Sequence, residues 1–279
     1  HIIIKHNSLS QHLNTYMKFT VSRHQWNLDL HKVAEELEMP VPHTAILKMS
    51  GGLDSTAMGY CVALYKKHEY PDLKLKVVTI NGYAPKNWNV QYAHRILDRI
   101  THLTGVDFDE RIVGEQATPG LSAQQEREYV GREELWMNGD VDPYGTAVQK
   151  TAEPHWTEGT VAFTGVTANP PTHLTQFYQD YLPEVYGGDY QAPELQVRTP
   201  NKIRQEYDKS NSTNRMWWQP WTNWHKQDLA ELYNNLSIMD TLFPLTRSCE
   251  GMGSEILARK HCGECWWCQE RLWGFGRLQ

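Results

Sequence analysis

Residues 46–60 read ILKMSGGLDSTAMGY: an apolar run, two glycines, an aspartate and a serine, then small apolar residues again. A short apolar run closed by a glycine turn reads as a buried strand, and DSTAMGYCVALYKKH (54–68) as the helix behind it. Two adjacent glycines between a strand and a helix let backbone N–H groups approach an anion, and the helix offers it a positive end. Ser50 and Ser55 can donate to the same oxygens. Asp54 is the odd member, either helping to hold Mg²⁺ or capping the helix.

Outward from this turn the pattern repeats. LKLKVVTING (73–82) reads as a second strand, DFDERIVG (107–114) as a third and TVAFTGVTANP (160–170) as a fourth. NVQYAHRILDRITHLTG (89–105) places Val90, Ala93, Ile96, Leu97 and Ile100 on one helical face, with Gly105 as its stop. Upstream, LDLHKVAEELE (28–38) predicts a leading helix. Late in the chain WTNWHKQDLAELYNNL (221–236) predicts another, with Asn223 as N-cap and Leu229, Leu232, Tyr233 and Leu236 on its apolar face. Residues 170–215 show no periodicity and read as one long loop, either a functional lid or disordered.

Strands alternating with helices imply crossover connections and a covered sheet. The expected fold is α/β, a doubly wound, mostly parallel sheet of about five strands with a small C-terminal zinc-binding extension. Residues 1–43 are expected as an N-terminal helical segment, 44–240 as the α/β domain and 241–279 as the extension. In such sheets ligands bind beyond the carboxyl ends of the strands, so a site is expected at the turn after ILKM.

With 27 Lys and Arg against 33 Asp and Glu, the formal charge is −6, which argues against a partner held by many phosphate contacts. A small-molecule partner and no direct nucleic acid are expected. No apolar run approaches the roughly 18–20 residues of a membrane span, and the leading HIIIKHN is too short for a secretory signal. A cytoplasmic location is the expectation.

Of five cysteines, Cys249, Cys262, Cys265 and Cys268 cluster near the C-terminus in CEGMGSEILARKHCGECWWCQERLWGF (249–275). Thiolates two residues apart in a tight turn can share an ion, and four of them suit tetrahedral Zn²⁺. Iron–sulfur clusters also use four cysteines. A zinc saturated by four thiolates is structural and contributes folding free energy. Cys61, in the helix after the glycine turn, reads as a small core residue, and His261 as exposed.

The turn lacks the lysine of the GxxxxGK[ST] loop, so γ-phosphoryl transfer is not its natural chemistry. S-G-G-x-D-S after a hydrophobic strand resembles the PP-loop of the N-type ATP pyrophosphatases, which split ATP between the α and β phosphates and leave an adenylated substrate. Together with LTRSC (245–249) and the CGECWWCQERLWGF ending, the chain is similar to the 7-cyano-7-deazaguanine (preQ0) synthase family of queuosine biosynthesis. The matching positions are Ser248, Cys249, Cys262, Gly263, Cys265, Cys268, Arg271, Gly274 and Phe275.

The resemblance implies an ATP-dependent carbon–nitrogen ligase that turns a deazapurine carboxylate into a nitrile using ammonia. It implies that Ser50, Gly51, Gly52, Leu53, Asp54 and Ser55 bind the pyrophosphate end of ATP with Mg²⁺, that Gly165 follows the fourth strand beside it, and that Lys226, at a helix start, reaches the phosphates. Asp54 and Lys226 are the expected catalytic pair. Four departures fall mainly on the substrate side: prolines in GVTANPPTHL (165–174), Arg247 where the family has an aromatic residue, a long spacer of 12 residues between Cys249 and Cys262, and the enlarged segment 170–215. Alternatives within the superfamily are a sulfur transferase or reductase; outside enzymes, a non-catalytic ATP-binding module.

Seven of the 11 tryptophans lie between 217 and 273. Flat purine-like rings stack on such side chains, and packing or a homodimer interface accounts for them equally. Trp217, Trp221 and Arg247 are the candidate substrate contacts. Arg198, Lys202 and Arg204 form either an anion clamp or a solvated basic face.

Overall fold

The computed structural model describes residues 16–81, 88–115, 143–168, 170, 174, 202–208, 213–249 and 261–279. Its main sheet holds five parallel strands: β3 (Thr44–Lys48), β4 (Lys74–Asn81), β5 (Glu110–Glu115), β6 (Thr160–Phe163) and β8 (Thr213–Gln219). A sixth, β7 (Lys202–Asp208), pairs antiparallel with β8 at one edge. The order across the sheet is β5-β4-β3-β6-β8-β7. The fold is α/β, as expected.

Side chains alternate across the central strands with the period of two that a pleated strand imposes. Ala45, Leu47, Val77, Val161, Phe163 and Trp218 belong to the larger core. That core is shared with α1 (Leu30–Glu36), α2 (Leu53–His68), α3 (Asn89–Thr104) and α5 (Lys226–Asn235). Ile46, Val78, Ile80 and Ala162 point the other way, where α4 (Pro143–Ala152) and Trp156 cover them. Helices therefore lie on both faces. After β3 the chain builds outward through β4 and β5, then returns to place β6 on the far side of β3. The β3/β6 boundary is where the order reverses, and its carboxyl end is the expected ligand crevice.

Several expectations are corrected. The N-terminal segment is not wholly helical: β1 (Met17–Thr20) and β2 (Gln25–Leu28) form an antiparallel hairpin before α1. Each strand has only two inward positions, Met17 and Phe19 on one and Trp26 and Leu28 on the other, too few to announce a strand by periodicity. The stretch 170–215 is not one loop, because it contains β7 and the start of β8. KIRQEYD carries no apolar alternation; its place comes from antiparallel pairing with β8, which begins just after residues 209–212. Residues 171–201, apart from Leu174, lie outside the described residues, Arg198 among them, while Lys202 and Arg204 fall on the edge strand. The cap of α5 is His225, not Asn223. Gly105 does close α3, in the left-handed conformation at φ 73°. No helix among the described residues is long and apolar enough to cross a membrane.

The hairpin is welded to the sheet by aromatic rings. Trp26 stacks on Phe19 at 5.2 Å and meets Trp218 and Trp221 edge-on at 5.7 and 5.5 Å. Trp26→Ala should lower the unfolding free energy by about 3–5 kcal/mol, the usual cost of emptying a buried aromatic site, read as an earlier midpoint in urea. A loss under ~1 kcal/mol would mean the hairpin does not belong to the cooperative core.

Candidate active site

The glycine turn is held in shape by its own hydroxyls. Ser50 Oγ and Ser55 Oγ are 3.2 Å apart, the Gly52 N–H donates to Ser50 Oγ at 3.3 Å, and Thr56 Oγ1 donates to the Gly52 carbonyl at 2.7 Å. Thr79 Oγ1 donates to the Met49 carbonyl at 3.0 Å, pinning the end of β3 to its neighbour. Gly51 sits at φ +79°, and a Cβ there would lie 2.7 Å from Tyr92 Cβ. Only glycine fits, because α3 presses on the turn. Gly52 is the N-cap of α2 and makes no side-chain cap bond, so the helix presents its first turn to the crevice.

Asp54 is not a cap. Its carboxylate receives Lys226 Nζ at 2.7 and 2.6 Å, and Thr167 Oγ1 at 3.1 Å. Lys226 also donates to Thr167 Oγ1 at 2.6 Å and faces Glu270 at 3.7 Å. The expected pair, Asp54 and Lys226, is thus brought into contact from the first turns of two helices. Lys226 is directed by its helix: the His225 N–H donates to Asp228 Oδ2 at 2.7 Å, and Arg23 of the hairpin grips the same carboxylate at 2.9 and 3.0 Å. Two glycines make the approach possible. A Cβ at Gly165 would lie 2.6 Å from the Asp54 carbonyl, and one at Gly274 would collide with Lys226 Cβ.

The C-terminal segment closes the crevice. The Arg247 N–H donates to the Gly51 carbonyl at 2.9 Å, joining the TRSC segment to the turn. The helix α6 (Trp266–Phe275) brings Glu270 to the crevice, and its Arg271 is 1% exposed. Arg271 reaches back to Thr246 Oγ1 at 2.8 Å and to the Phe243 and Leu278 carbonyls at 3.1 and 2.7 Å. Burial lowers its pKa to about 10, which leaves it charged at neutral pH.

Cys249, Cys262, Cys265 and Cys268 converge, with all four sulfurs within 4.8 Å of one another. The pairs Cys262–Cys268 and Cys249–Cys265 stand 3.9 and 4.0 Å apart. A tetrahedral zinc with sulfur at ~2.3 Å asks for an edge of about 3.8 Å, so these donors fit. Backbone N–H groups of Cys262 and Cys265 point at Cys249 and Cys262 sulfurs, the usual support of thiolate ligands. Hydrogen bonding to Cys249 pushes the Cys265 thiol up to about 12 and raises Cys268 as well. Crowded sulfurs hold their protons unless a cation takes over the charge. His261 is half-buried rather than exposed, with Nδ1 3.6 Å from Cys268 Sγ, and burial lowers its pKa to about 4.

A cleft of about 240 Å³ at the β3/β6 boundary gathers Ser50, Gly52, Leu53, Asp54, Ser55, Gly165, Lys226 and Arg247. Gly51 shapes the turn beneath it. Trp221 is not among the lining residues: it is fully buried in the core beside Trp26 and Trp224, where no ligand stacks on it. Trp217 also stands apart, on the α4 face of the sheet, donating to Thr164 Oγ1 at 2.9 Å with Lys48 Nζ 4.8 Å over its ring. The cleft adds Trp88, Asn89, Ser248, Trp267 and Glu270, and Thr167 stands behind Lys226. Sequence reading missed Trp88, Asn89, Ser248, Glu270 and Thr167 in a functional role, whereas Trp267 is one of the tryptophans it offers for stacking. Ser248 and Glu270 were within reach of it, each lying one or two positions from a cysteine ligand; Trp88 and Thr167 carry no local signal.

The site is thus a cleft at the switch point of a parallel sheet, built on a glycine turn that carries no lysine and backed by a buried ion pair and a four-cysteine cluster. No protein family matches the chain, and no curated protein does. Among solved structures, NAD+ synthetase from Burkholderia pseudomallei aligns at 12% identity and TM-score 0.37, covering 90% of this chain and 80% of that one. The U34-tRNA thiolase NcsA of Methanococcus maripaludis, with its 4Fe-4S cluster, aligns at 13% and 0.35, over 89% and 76%. NMN synthetase from Francisella tularensis aligns at 10% and 0.35, over 88% and 91%. At such scores these are weak likenesses, and the chemistry has to be read from the site itself.

Two outcomes follow from this geometry. Asp54→Asn removes the carboxylate nearest a buried ammonium and should cost about 3–5 kcal/mol of stability; adding Lys226→Met should recover part of it, a non-additivity read by urea denaturation of both singles and the double. Protein loaded with Co²⁺ should show the intense sulfur-to-metal absorption of thiolate ligation. Cys265→Ser should weaken that band, and chelation should lower the melting temperature of the wild type.

Proposed function

We propose that the protein is an ATP-dependent carbon–nitrogen ligase of the PP-loop superfamily, acting on 7-carboxy-7-deazaguanine or a closely related deazapurine carboxylate. The observation that carries this reading is the convergence on one cleft of the lysine-free glycine turn and the segments flanking the four thiolates. A carboxylate oxygen leaves badly, so it has to be activated. Attack of that oxygen on the α-phosphorus of ATP breaks the α–β bond, releases pyrophosphate and leaves an acyl adenylate. Ammonia then adds at the carbonyl carbon and expels AMP, giving the amide. A second adenylation on the amide oxygen, followed by loss of AMP and two protons, gives the nitrile.

Each part of the cleft has work in this scheme. The first turn of α2 and the serines face the departing pyrophosphate. Lys226 neutralises Asp54, which otherwise repels phosphate, and Asp54 and Glu270 are the carboxylate oxygens the cleft offers to the Mg²⁺ that accompanies ATP. Zn²⁺ held by Cys249, Cys262, Cys265 and Cys268 would be saturated and structural, and would fix Ser248 and Glu270 at the rim.

Sulfur transfer is disfavoured. With four cysteines clustered, Cys61 is left as the relay thiol, and it is 0% exposed with its pKa raised by burial. Incubation with ATP, Mg²⁺, ammonium and 7-carboxy-7-deazaguanine should yield AMP, pyrophosphate and the nitrile by mass spectrometry. AMP formation indifferent to both carboxylate and ammonia would sink the ligase reading, as would loss of turnover in Cys61→Ser with the metal retained.

A further inference from the structure

Arg247 is 2% exposed, yet its Nε and Nη2 are buried with no hydrogen-bond partner among the described residues. What the guanidinium does have is two aromatic faces, Trp88 at 5.1 Å and Tyr92 at 5.8 Å. Ring quadrupoles attract a cation weakly compared with the cost of stripping its water. A buried arginine fork without a carboxylate is a charge waiting for an anion.

Its surroundings identify which anion. Arg247 lines the same cleft as Ser50, Gly52 and Ser55, and its own N–H is bonded to the Gly51 carbonyl, so the guanidinium is tethered to the glycine turn. That turn has no lysine of its own. The other cation in the cleft, Lys226, is engaged by Asp54 at 2.6 Å. We propose that Arg247 is the cation of the phosphate cradle, binding the terminal phosphates that leave as pyrophosphate, in place of the lysine other phosphate loops carry. The assignment rests on the ATP-cleaving reading above and moves Arg247 from the expected acceptor side to the nucleotide side.

Calorimetric titration of the metal-loaded protein with inorganic pyrophosphate, ATP and AMP separates the possibilities. Arg247→Met should weaken pyrophosphate and ATP by about 10- to 100-fold, the worth of charge-assisted hydrogen bonds, and leave AMP within about twofold. Because the substitution removes an unpaired buried charge, the ligand-free melting temperature should hold or rise, while the upward shift that pyrophosphate gives the wild type disappears. Arg247→Gln, which keeps a polar side chain and removes the charge, is the second variant and must show the same selective loss. Undiminished pyrophosphate affinity in either variant overturns the assignment. So does an equal loss for AMP, or a loss seen only with the carboxylate substrate. A wild type that binds neither ATP nor pyrophosphate defeats the adenylation reading itself and this assignment with it.

Discussion

The contact between Lys226 and Asp54 sets the geometry of everything around it. The two residues are 172 positions apart, each in the first turn of a helix, and they meet at 2.6 Å with little access to water. A charge so placed is tolerable only with its partner present, so neither helix can move without the other. The cost falls on other positions. Gly165 and Gly274 lack side chains because the Asp54 backbone and Lys226 occupy the space a Cβ needs. The two glycines lie far apart in sequence, in the turn after β6 and on α6, and they answer to the same ion pair.

From that pair the constraint runs outward through α5. Asp228, two residues after Lys226, accepts from the His225 backbone and takes both arms of Arg23, while Glu231 one turn on accepts from Ser22. The turn of the N-terminal hairpin therefore clamps the helix that delivers the lysine. Beneath it, Trp26 locks the same hairpin into the sheet core. A segment that looks peripheral along the chain acts as a brace for the cleft.

This explains what could be read from the sequence and what could not. The turn SGGLDS declared itself because its information is local: a buried strand, a glycine at positive φ, and a helix start lie within a dozen residues. The four cysteines did so too, since ligand spacing is a property of short turns. β7 escaped although its partner β8 begins just after residues 209–212, because KIRQEYD shows no apolar alternation, and the cap of α5 because histidine gives little N-cap signal even with Asp228 three residues away; the hairpin escaped because a tryptophan cluster distant in sequence defines it. Trp217 and Trp221 misled for the same reason. Tryptophan in a polar stretch reads as a stacking surface until the sheet shows that one ring faces the core and the other the opposite side. Lys226 was legible only through family resemblance; nothing in HKQDLAEL separates it from a solvated helix residue.

The missing lysine of the glycine turn and the thiolate cluster belong to one arrangement. The two cations that line the cleft among the described residues, Lys226 and Arg247, both come from beyond residue 220. Such cations come from segments with few local reasons to stay in place, so something has to hold them. Cys249 follows Arg247 by two residues and Glu270 follows Cys268 by two, which puts a cleft residue beside the ligand cluster on each side. The free energy of binding an ion to the four sulfurs would fix those backbone positions. The Arg247 N–H to Gly51 carbonyl bond carries the fixation to the cradle itself. An ion held by those four sulfurs, with no coordination position left open, would thereby act on the charge lining the cleft through covalent proximity and not through contact with a ligand there.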